Sequence, residues 1–290
     1  MPLDEFQKSV LQVLMPLRTP QSVFAGGSVL QRHGHRLSND QDVFHGQAID
    51  VGETADRDCQ ALREAGMNVD FEARHEGLVE ALVSHEEFGF TKIQWVASGA
   101  WNFFQPVPDP IFGYRLHMAD ICINKALAAG GRRVVRDYVD LDLIHAHVMP
   151  LWLAVWAAPG KDESWTPVKL LEKIAATNQF RQADLDEEVT STVDLTMGEI
   201  GARIRDAIEE AREIFKHLPG QTAGCLFVDT NGRPVKDIAR ILAKGTDVTT
   251  IEVAAGGIWP SGPDIDATLI ESLIETYGWD GQADQPTPRV

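Results

Sequence analysis

A Gly-Gly-Ser turn followed by an Asp-x-Asp pair constrains this 290-residue chain more than any other feature. Gly26, Gly27 and Ser28 follow a short apolar run that is typical of a buried strand, and Asp40 and Asp42 stand at the start of a second run. Glycines between a strand and a helix let backbone N–H groups approach an anion closely. Residues i and i+2 of a strand project to the same face, so the two carboxylates are expected to converge.

Such a carboxylate pair beside a glycine turn suits chemistry on phosphate groups. Two hard oxygen donors side by side suit Mg²⁺ that is also bound to substrate phosphates. The metal neutralises charge on the phosphate while backbone amides position it, as phosphoryl or nucleotidyl transfer requires. Each element alone is a weak signal, since a second pair in this chain, Asp264 and Asp266, is most simply interpreted as a helix N-cap.

Hydrophobic periodicity predicts a mixed α/β first half and a helix-rich second half. In the first half we predict helices over 4–17, 55–65, 120–130 and 134–147, and strands over 21–25, 42–45, 68–73, 78–84 and 92–97. In the second half we predict helices over 197–218, 237–243 and 267–277, and strands over 225–229 and 248–254. The change of character predicts two parts, residues 1–150 and residues 151–290.

A second cluster of polar side chains falls on the two helices predicted over 120–147. The first helix carries an aspartate, an asparagine and a lysine within two turns, and the second carries an arginine and two aspartates within about one turn: Asp120, Asn124, Lys125, Arg136, Asp137 and Asp140. Residues i and i+4 share a helix face. On spacing alone, an arginine beside an aspartate on a helix favours a structural ion pair.

Both clusters resemble the AbiEii-like nucleotidyltransferases, an abortive-infection (type IV toxin) branch of the minimal nucleotidyltransferase superfamily. That family often reads Gly-Gly-Thr/Ser-Ala-Leu and then Arg-x-Ser-x-Asp-x-Asp-x-Phe. Every fixed position of the second run is filled here, by Arg36, Ser38, Asp40, Asp42 and Phe44. The second cluster is similar to the family pattern Asp-x-x-x-Asn/x-Lys-x-x-Ala, a short gap, and Arg-Asp-x-x-Asp-Leu.

The resemblance covers roughly residues 20–145 and implies a fold. It implies an α/β domain over residues 1–150, with a nucleotidyltransferase-like mixed sheet flanked by helices. A helix-rich C-terminal part with a small strand element is expected over residues 151–290.

The resemblance also implies which residues bind metal and triphosphate. Asp40 and Asp42 would bind Mg²⁺ and act in catalysis. Gly26, Gly27 and Ser28 would hold the triphosphate of the substrate.

The remaining site residues are implied by the same resemblance. Lys125 would contact phosphate, because an ammonium on a long stem is a point-charge phosphate binder. Asp137 would complete the acidic site or orient Lys125. Asn124 and Ser38 would face the substrate, and Arg36 would brace the loop through its guanidinium.

One position departs from the family pattern. Active members usually place a third carboxylate on a neighbouring strand in a Lys-x-Asp/Glu setting, and here that strand reads Lys92-Ile-Gln94. A neutral amide is a poorer metal ligand and cannot act as a general base. Four carboxylates stay open as substitutes: Asp70, Glu72, Glu80 and Asp137.

Charge limits the partners that this chain can have. It has 26 basic and 43 acidic residues, a formal net charge of −17, which excludes a protein that coats nucleic acid through its overall field. The segment 115–136 has a positive net charge instead, with five basic residues and one acidic residue. An RNA partner is therefore expected only along this segment.

The function implied by the resemblance is Mg²⁺-dependent transfer of an NMP group from an NTP to an acceptor. By similarity to the toxin branch, the acceptor would be an RNA end, foremost tRNA, and a cognate antitoxin protein would be a partner. The first alternative is a small-molecule, aminoglycoside-type nucleotidyltransferase, which the acidic charge favours. The second is a catalytically weakened nucleotide-binding protein, which Gln94 favours.

Cysteine usage and hydropathy indicate the compartment. Three widely separated cysteines argue against a disulfide framework and for a reducing environment. The longest nearly apolar stretch, over 148–158, is too short to span a bilayer. The first residues lack a basic start and an apolar stretch, so no signal peptide is expected. We therefore expect a cytoplasmic protein without a membrane partner.

Overall fold

The computed structural model describes residues 3–46, 50–98, 101–243 and 245–265. The helix predicted over 267–277 and Asp266 lie outside these residues. The strands are β1 (Ser22–Ala25), β2 (Asp40–His45), β3 (Asn68–His75), β4 (Leu78–His85), β5 (Gly89–Ala97), β6 (Trp101–Asn102), β7 (Val107–Asp109), β8 (Gly113–Arg115), β9 (Leu226–Asp229), β10 (Val248–Ile251) and β11 (Ala254–Ala255).

The α-helices alternate with these strands in the first half and dominate the second half. They are α1 (Glu5–Leu14), α2 (Gly26–Leu30), α3 (Val51–Glu64), α4 (Met118–Gly131), α5 (Val135–Leu143), α6 (Leu151–Ala157), α7 (Pro167–Thr177), α8 (Gln182–Glu188), α9 (Met197–Phe215) and α10 (Ile238–Leu242).

A seven-stranded mixed sheet with the order β3-β4-β5-β2-β1-β8-β7 forms the centre of the molecule. Strand β2 lies antiparallel to β1 and parallel to β5, while β3, β4 and β5 form an antiparallel meander. The predicted small strand element in the second half is the antiparallel pair β9–β10. The predicted mixed α/β architecture is therefore confirmed.

Strand β2 separates the core from the candidate site. Its side chains alternate, so that Gln41, Val43 and His45 are buried on one face and Asp40 and Asp42 are partly exposed on the other. Helix α1 covers the first face, where the side chain of Gln41 donates a hydrogen bond to the carbonyl of Gln7. Because the strand begins at Asp40, both aspartates lie within the regular alternation.

Helix α6 is an element that the sequence pattern did not predict. All seven of its residues, Leu151–Ala157, are buried, and a helix that is apolar all round carries no amphipathic period. It packs against α4 and α9, and buried residues on both sides of position 150 belong to one hydrophobic core.

Among the described residues, no single helix combines the length and the apolar composition that crossing a membrane needs. One pair of segments, Val135–Val148 and Leu151–Gly160, reaches that length and composition together but is bent by 108°.

Candidate active site

A cleft of about 400 Å³ lies between the open face of the sheet and helix α4. The sheet contributes Asp42 from β2 and Gln94 from β5, and α4 contributes Asn124 and Lys125. Gly26, at the junction of β1 and α2, closes one side. The cleft thus brings together residues from both predicted clusters, which are separated by about eighty positions in the sequence.

Position 26 requires a glycine because of the nearby side chain of Asp42. Its φ of +70° lies in the left-handed region that favours glycine. A Cβ atom at this position would also collide with the Oδ2 atom of Asp42. The glycine therefore permits the backbone of the turn to approach the carboxylate.

The side chain of Asp42 lies in an environment that opposes its charge. The walls of the cleft desolvate this carboxyl and raise its pKa, although the residue keeps some exposed surface, and the neighbouring charge of Asp40 acts in the same direction. Lys125 and Arg136 act in the opposite direction, because cations favour the ionised form.

The other residues predicted to hold the triphosphate do not line the cleft. A Cβ atom on Gly27 would lie 2.6 Å from Nη2 of Arg36 and 2.9 Å from Oγ of Ser38. Ser28 is buried, with its hydroxyl 3.5 Å from the carbonyl oxygen of Ala25. Ser38 donates a hydrogen bond to the carbonyl of Asp40, at 3.1 Å. Their predicted role in substrate binding stays a prediction.

Lys125 is held in the cleft by a buried carboxylate. Its Nζ atom lies 2.6 Å from Oδ2 of Asp140 and 3.7 Å from Oδ1 of Asp137. Asp140 also accepts two hydrogen bonds from the guanidinium of Arg36, at 2.9 and 3.1 Å, and one from Gln31 at 2.7 Å. Despite full burial, Arg36 and Lys125 hold the pKa of Asp140 well below its usual range.

The bidentate contact of Arg36 with Asp140 is the geometry that a bracing role requires, because it ties the loop before β2 to helix α5.

Two further arginines stand near the cleft: Arg132 lines its rim, and Arg136 lies beside it in contact with Asp40. Arg132 donates two hydrogen bonds to Asp137, at 2.7 and 3.0 Å, so Asp137 is matched by a cation before any substrate binds. Arg136 donates to Oδ2 of Asp40 at 3.2 Å. Both guanidiniums keep substantial exposure, 50% and 39% of their side-chain surface, and so can also meet an anion.

Gln94 occupies the position next to Asp42 that was expected to hold a third acid. In the parallel pairing of β2 and β5 it lies opposite Asp42, and in the antiparallel pairing of β5 and β4 it lies opposite Glu80. Of the open substitutes, Glu80 is the carboxylate adjacent to Gln94. Glu72 lies on β3, one strand beyond Glu80, and forms an ion pair with Lys92 at 2.9 Å; Asp70, also on β3, lies opposite Leu82.

The basic segment over 115–136 is divided by the fold. Arg115 is buried, with its Nε atom 2.9 Å from Asp109 and a second contact to Asp264. Asp120 is also buried, where it accepts a hydrogen bond from Lys161 at 2.8 Å. Arg115 is therefore part of the interior, whereas Arg132 and Arg136 at the other end of the segment keep exposed surface, and the expected RNA partner stays a prediction.

The sequence pattern did not identify Arg132 as part of this site, and it left Glu80 as one of four open substitutes for the third carboxylate. Asp140 was visible as the last aspartate of the second cluster, but its partner Arg36 is 104 positions away. Arg132 directly follows helix α4, and the sequence marked it only as one of the basic residues of the segment 115–136.

Asp40 and Asp42 are the residues that could hold a divalent cation. Among the described residues, no group of three or more His, Cys, Asp and Glu side chains is arranged to hold a metal. Mg²⁺ nevertheless fits a donor set of one or two carboxylates, because substrate phosphates and water complete its shell. The two oxygen-bearing side chains on one face of β2 meet that requirement.

Comparison with solved structures identifies the fold as nucleotidyltransferase-like. MenT4, a nucleotidyltransferase toxin from Mycobacterium tuberculosis H37Rv, matches with a TM-score of 0.54 and 18% identity over 82% of this chain and 90% of that chain. A protein from H. pylori assigned as a nucleotidyltransferase matches with a TM-score of 0.49 and 13% identity over 75% of this chain and 100% of that chain.

No family model and no curated protein sequence matches the chain. The match to MenT4 confirms the predicted nucleotidyltransferase-like fold. Assignment to the AbiEii-like branch stays a prediction.

Proposed function

We propose that this chain is a nucleotidyltransferase that moves an NMP group from an NTP to an acceptor hydroxyl with the help of Mg²⁺. The observation that carries the proposal is the cleft in which Asp42, with Asp40 two residues away on the same face of β2, meets the cationic side chains of Lys125 and Arg132. Carboxylates for a cation on one wall and cations for phosphates on the other are what a triphosphate bound to a divalent cation requires.

In the proposed reaction the acceptor oxygen attacks the α-phosphorus of the NTP. The bond from that phosphorus to the bridging oxygen of the β-phosphate breaks, pyrophosphate leaves with the electron pair, and the hydroxyl proton passes to solvent. Bound Mg²⁺ would neutralise charge on the phosphates. Lys125, positioned by Asp140, would hold a phosphate oxygen, and Arg132 and Arg136 would attract the departing pyrophosphate.

The acceptor in this proposal is an RNA end, foremost that of a tRNA, and the protein acts as a cytoplasmic toxin with an antitoxin partner. The name of MenT4 as a nucleotidyltransferase toxin supports this extension, together with the motif resemblance. The exposed arginines at the cleft rim, in a chain of net charge −17, supply the local positive field that an RNA end needs.

A second candidate function is nucleotide binding without nucleotidyl transfer. The neutral Gln94 opposite Asp42 favours a protein that binds NTP without transferring it, because a site with one fewer carboxylate holds a cation less tightly. Nucleotide binding that persists in EDTA, without label transfer, would support this candidate.

The test uses the purified chain with Mg²⁺ and each of the four labelled NTPs in turn. Total tRNA and an aminoglycoside serve as alternative acceptors, and both label transfer and pyrophosphate release are measured. Asp42→Asn is expected to abolish transfer, and Asp70→Asn, an exposed aspartate on β3 of the same sheet, is the matched control. No transfer from any nucleotide to either acceptor, with Asp42→Asn indistinguishable from wild type, would overturn the proposal.

A further inference from the structure

Three polar side chains form a row across adjacent strands on the cleft face of the sheet. Asp42 on β2 lies opposite Gln94 on β5, which lies opposite Glu80 on β4. Successive strands are about 4.8 Å apart. The middle member of the row therefore reaches both neighbours, whereas Glu80 lies one strand too far from Asp42 for a shared ion.

The orientation of the Gln94 amide follows from its contact with Glu80. The Nε2 atom of Gln94 donates a hydrogen bond to Oε1 of Glu80. A carboxylate paired with an ammonium is ionised and can only accept, so the nitrogen of the amide must face it. The amide oxygen, on the other bond of the same planar carbon, is then turned away from Glu80.

Glu80 is itself held in place by charge. Lys92, two residues before Gln94 on the same strand, places its Nζ atom 3.3 Å from Glu80 and 2.9 Å from Glu72. Glu80 thus accepts from both Lys92 and Gln94 and serves as a fixed anchor for the amide.

We propose that Gln94 contributes a neutral third oxygen to the Asp40–Asp42 cation site, and that Glu80 acts through Gln94 as a positioning residue. The inference rests on the proposed function, which assigns a divalent cation to these two aspartates. It explains how the cleft can keep the spatial arrangement of a three-oxygen site while carrying one fewer negative charge. A neutral ligand also lowers the affinity of the site for a free cation, so the phosphates of the nucleotide become the larger part of the binding.

The test measures binding of Mn²⁺ alone to the full-length chain by calorimetry, with unfolding midpoints to show that each variant is folded. Glu80→Gln is expected to weaken Mn²⁺ binding about tenfold, the scale observed when a partner that orients a metal ligand is lost. Glu72→Gln is the matched control, because Glu72 contacts Lys92 and not Gln94. Gln94→Met, which has similar volume and no oxygen donor, is expected to weaken binding at least as much.

Two combined variants separate positioning from a general structural effect. In the Gln94→Met background, Glu80→Gln should have no further effect on Mn²⁺ affinity, because the amide through which it acts is gone. The exchange Gln94→Glu with Glu80→Gln keeps the hydrogen bond between strands and moves the carboxylate next to Asp42. This exchange should bind Mn²⁺ about tenfold more tightly than wild type, since a carboxylate replaces an amide as ligand.

Wild-type Mn²⁺ affinity in Gln94→Met, an equal effect of Glu80→Gln in both backgrounds, or no gain in the exchanged variant would each overturn the inference. Asp42→Asn distinguishes this failure from failure of the proposed cation site. If Asp42→Asn binds Mn²⁺ as wild type does, the cation site itself is wrong. If Asp42→Asn loses binding and Gln94→Met does not, only the role of Gln94 fails.

Discussion

Replacement of Asp140 by asparagine tests how the cationic wall of the cleft is held together. The carboxylate of Asp140 has no exposed surface and lies 2.6 Å from Lys125, with Arg36 in bidentate contact and Gln31 at 2.7 Å. Asparagine keeps the shape and removes the charge. The substitution would therefore remove the buried carboxylate that both Arg36 and Lys125 contact. Their side chains are only 5% and 12% exposed, so water cannot replace it well.

The expected cost is large because a buried charge is left without its partner. Removal of one member of a buried ion pair typically destabilises a protein by about 3–5 kcal/mol. Lys125 keeps a second carboxylate, Asp137, at 3.7 Å, which places the expected loss near the lower end, about 3 kcal/mol. Displacement of Lys125 should also lower the transfer rate, by about 100-fold if its amine moves by 1 Å.

The assay is urea unfolding of the wild type and Asp140→Asn between pH 3 and pH 8. Because Arg36 and Lys125 hold the folded-state pKa of Asp140 below its ordinary value, its contribution to stability is present above about pH 4 and is lost as pH falls through the folded pKa. The stability difference between the two proteins should therefore be constant from pH 8 to pH 5 and shrink at lower pH.

A surface ion pair supplies the control. Asp56 accepts two hydrogen bonds from Arg74, as Asp140 does from Arg36, but both partners are about half exposed. Asp56→Asn should therefore lose only a small fraction of the stability that Asp140→Asn loses. A loss below about 1 kcal/mol for Asp140→Asn, or one equal to that of Asp56→Asn, would refute the argument that burial makes this carboxylate essential.

Two further predictions concern the turn before the cleft and the core face of β2. Gly26→Ala should abolish transfer and lower the unfolding midpoint, because the added Cβ atom would collide with Asp42. Gly66→Ala is the control: its φ of +85° is also left-handed, but no atom lies within 4 Å of the added Cβ. It should lower the unfolding midpoint only by the cost of that backbone conformation and leave transfer unchanged. Burial lowers the pKa of His45 from 6.5 to about 4, so its neutral form contributes stability that is full above pH 6.5 and is lost as pH falls through about 4. Wild type should therefore lose stability relative to His45→Gln between pH 6.5 and pH 4, as measured by urea unfolding; parallel profiles would contradict this.

The carboxylate pair could be placed from the sequence because its constraint is local. Alternation along β2 fixes the shared face of Asp40 and Asp42, and the glycine requirement at Gly26 follows from the approach of the turn to Asp42. The predicted helix over 120–130 also placed Asn124 and Lys125 correctly on α4, since a helix is formed by one continuous segment and its end at Gly130-Gly131 can be read locally.

The partners of these side chains could not be predicted, because they depend on long-range pairing. Strand β8, with three residues, has no measurable alternation, and it joins the sheet through one parallel pairing of Phe24 with Arg115. That placement buries Arg115 against Asp109. A residue that the sequence groups with the basic segment over 115–136 therefore lies in the interior. The net charge of a segment does not say which of its members face solvent.

The distribution of ion pairs is the reason that we propose a cation at Asp42 rather than at the other acidic groups of this region. Asp137 and Asp140 are each matched by basic side chains, and Asp40 is matched by Arg136. Within the part of the chain that the structure describes, Asp42 forms no ion pair, although burial already disfavours its charge. A divalent cation bound there, as we propose, would supply the missing counter-charge. It would draw Asp40 away from the partly exposed Arg136, which costs one solvent-exposed ion pair. The same cation at Asp137 or Asp140 would have to displace a buried or bidentate partner, which is energetically less favourable.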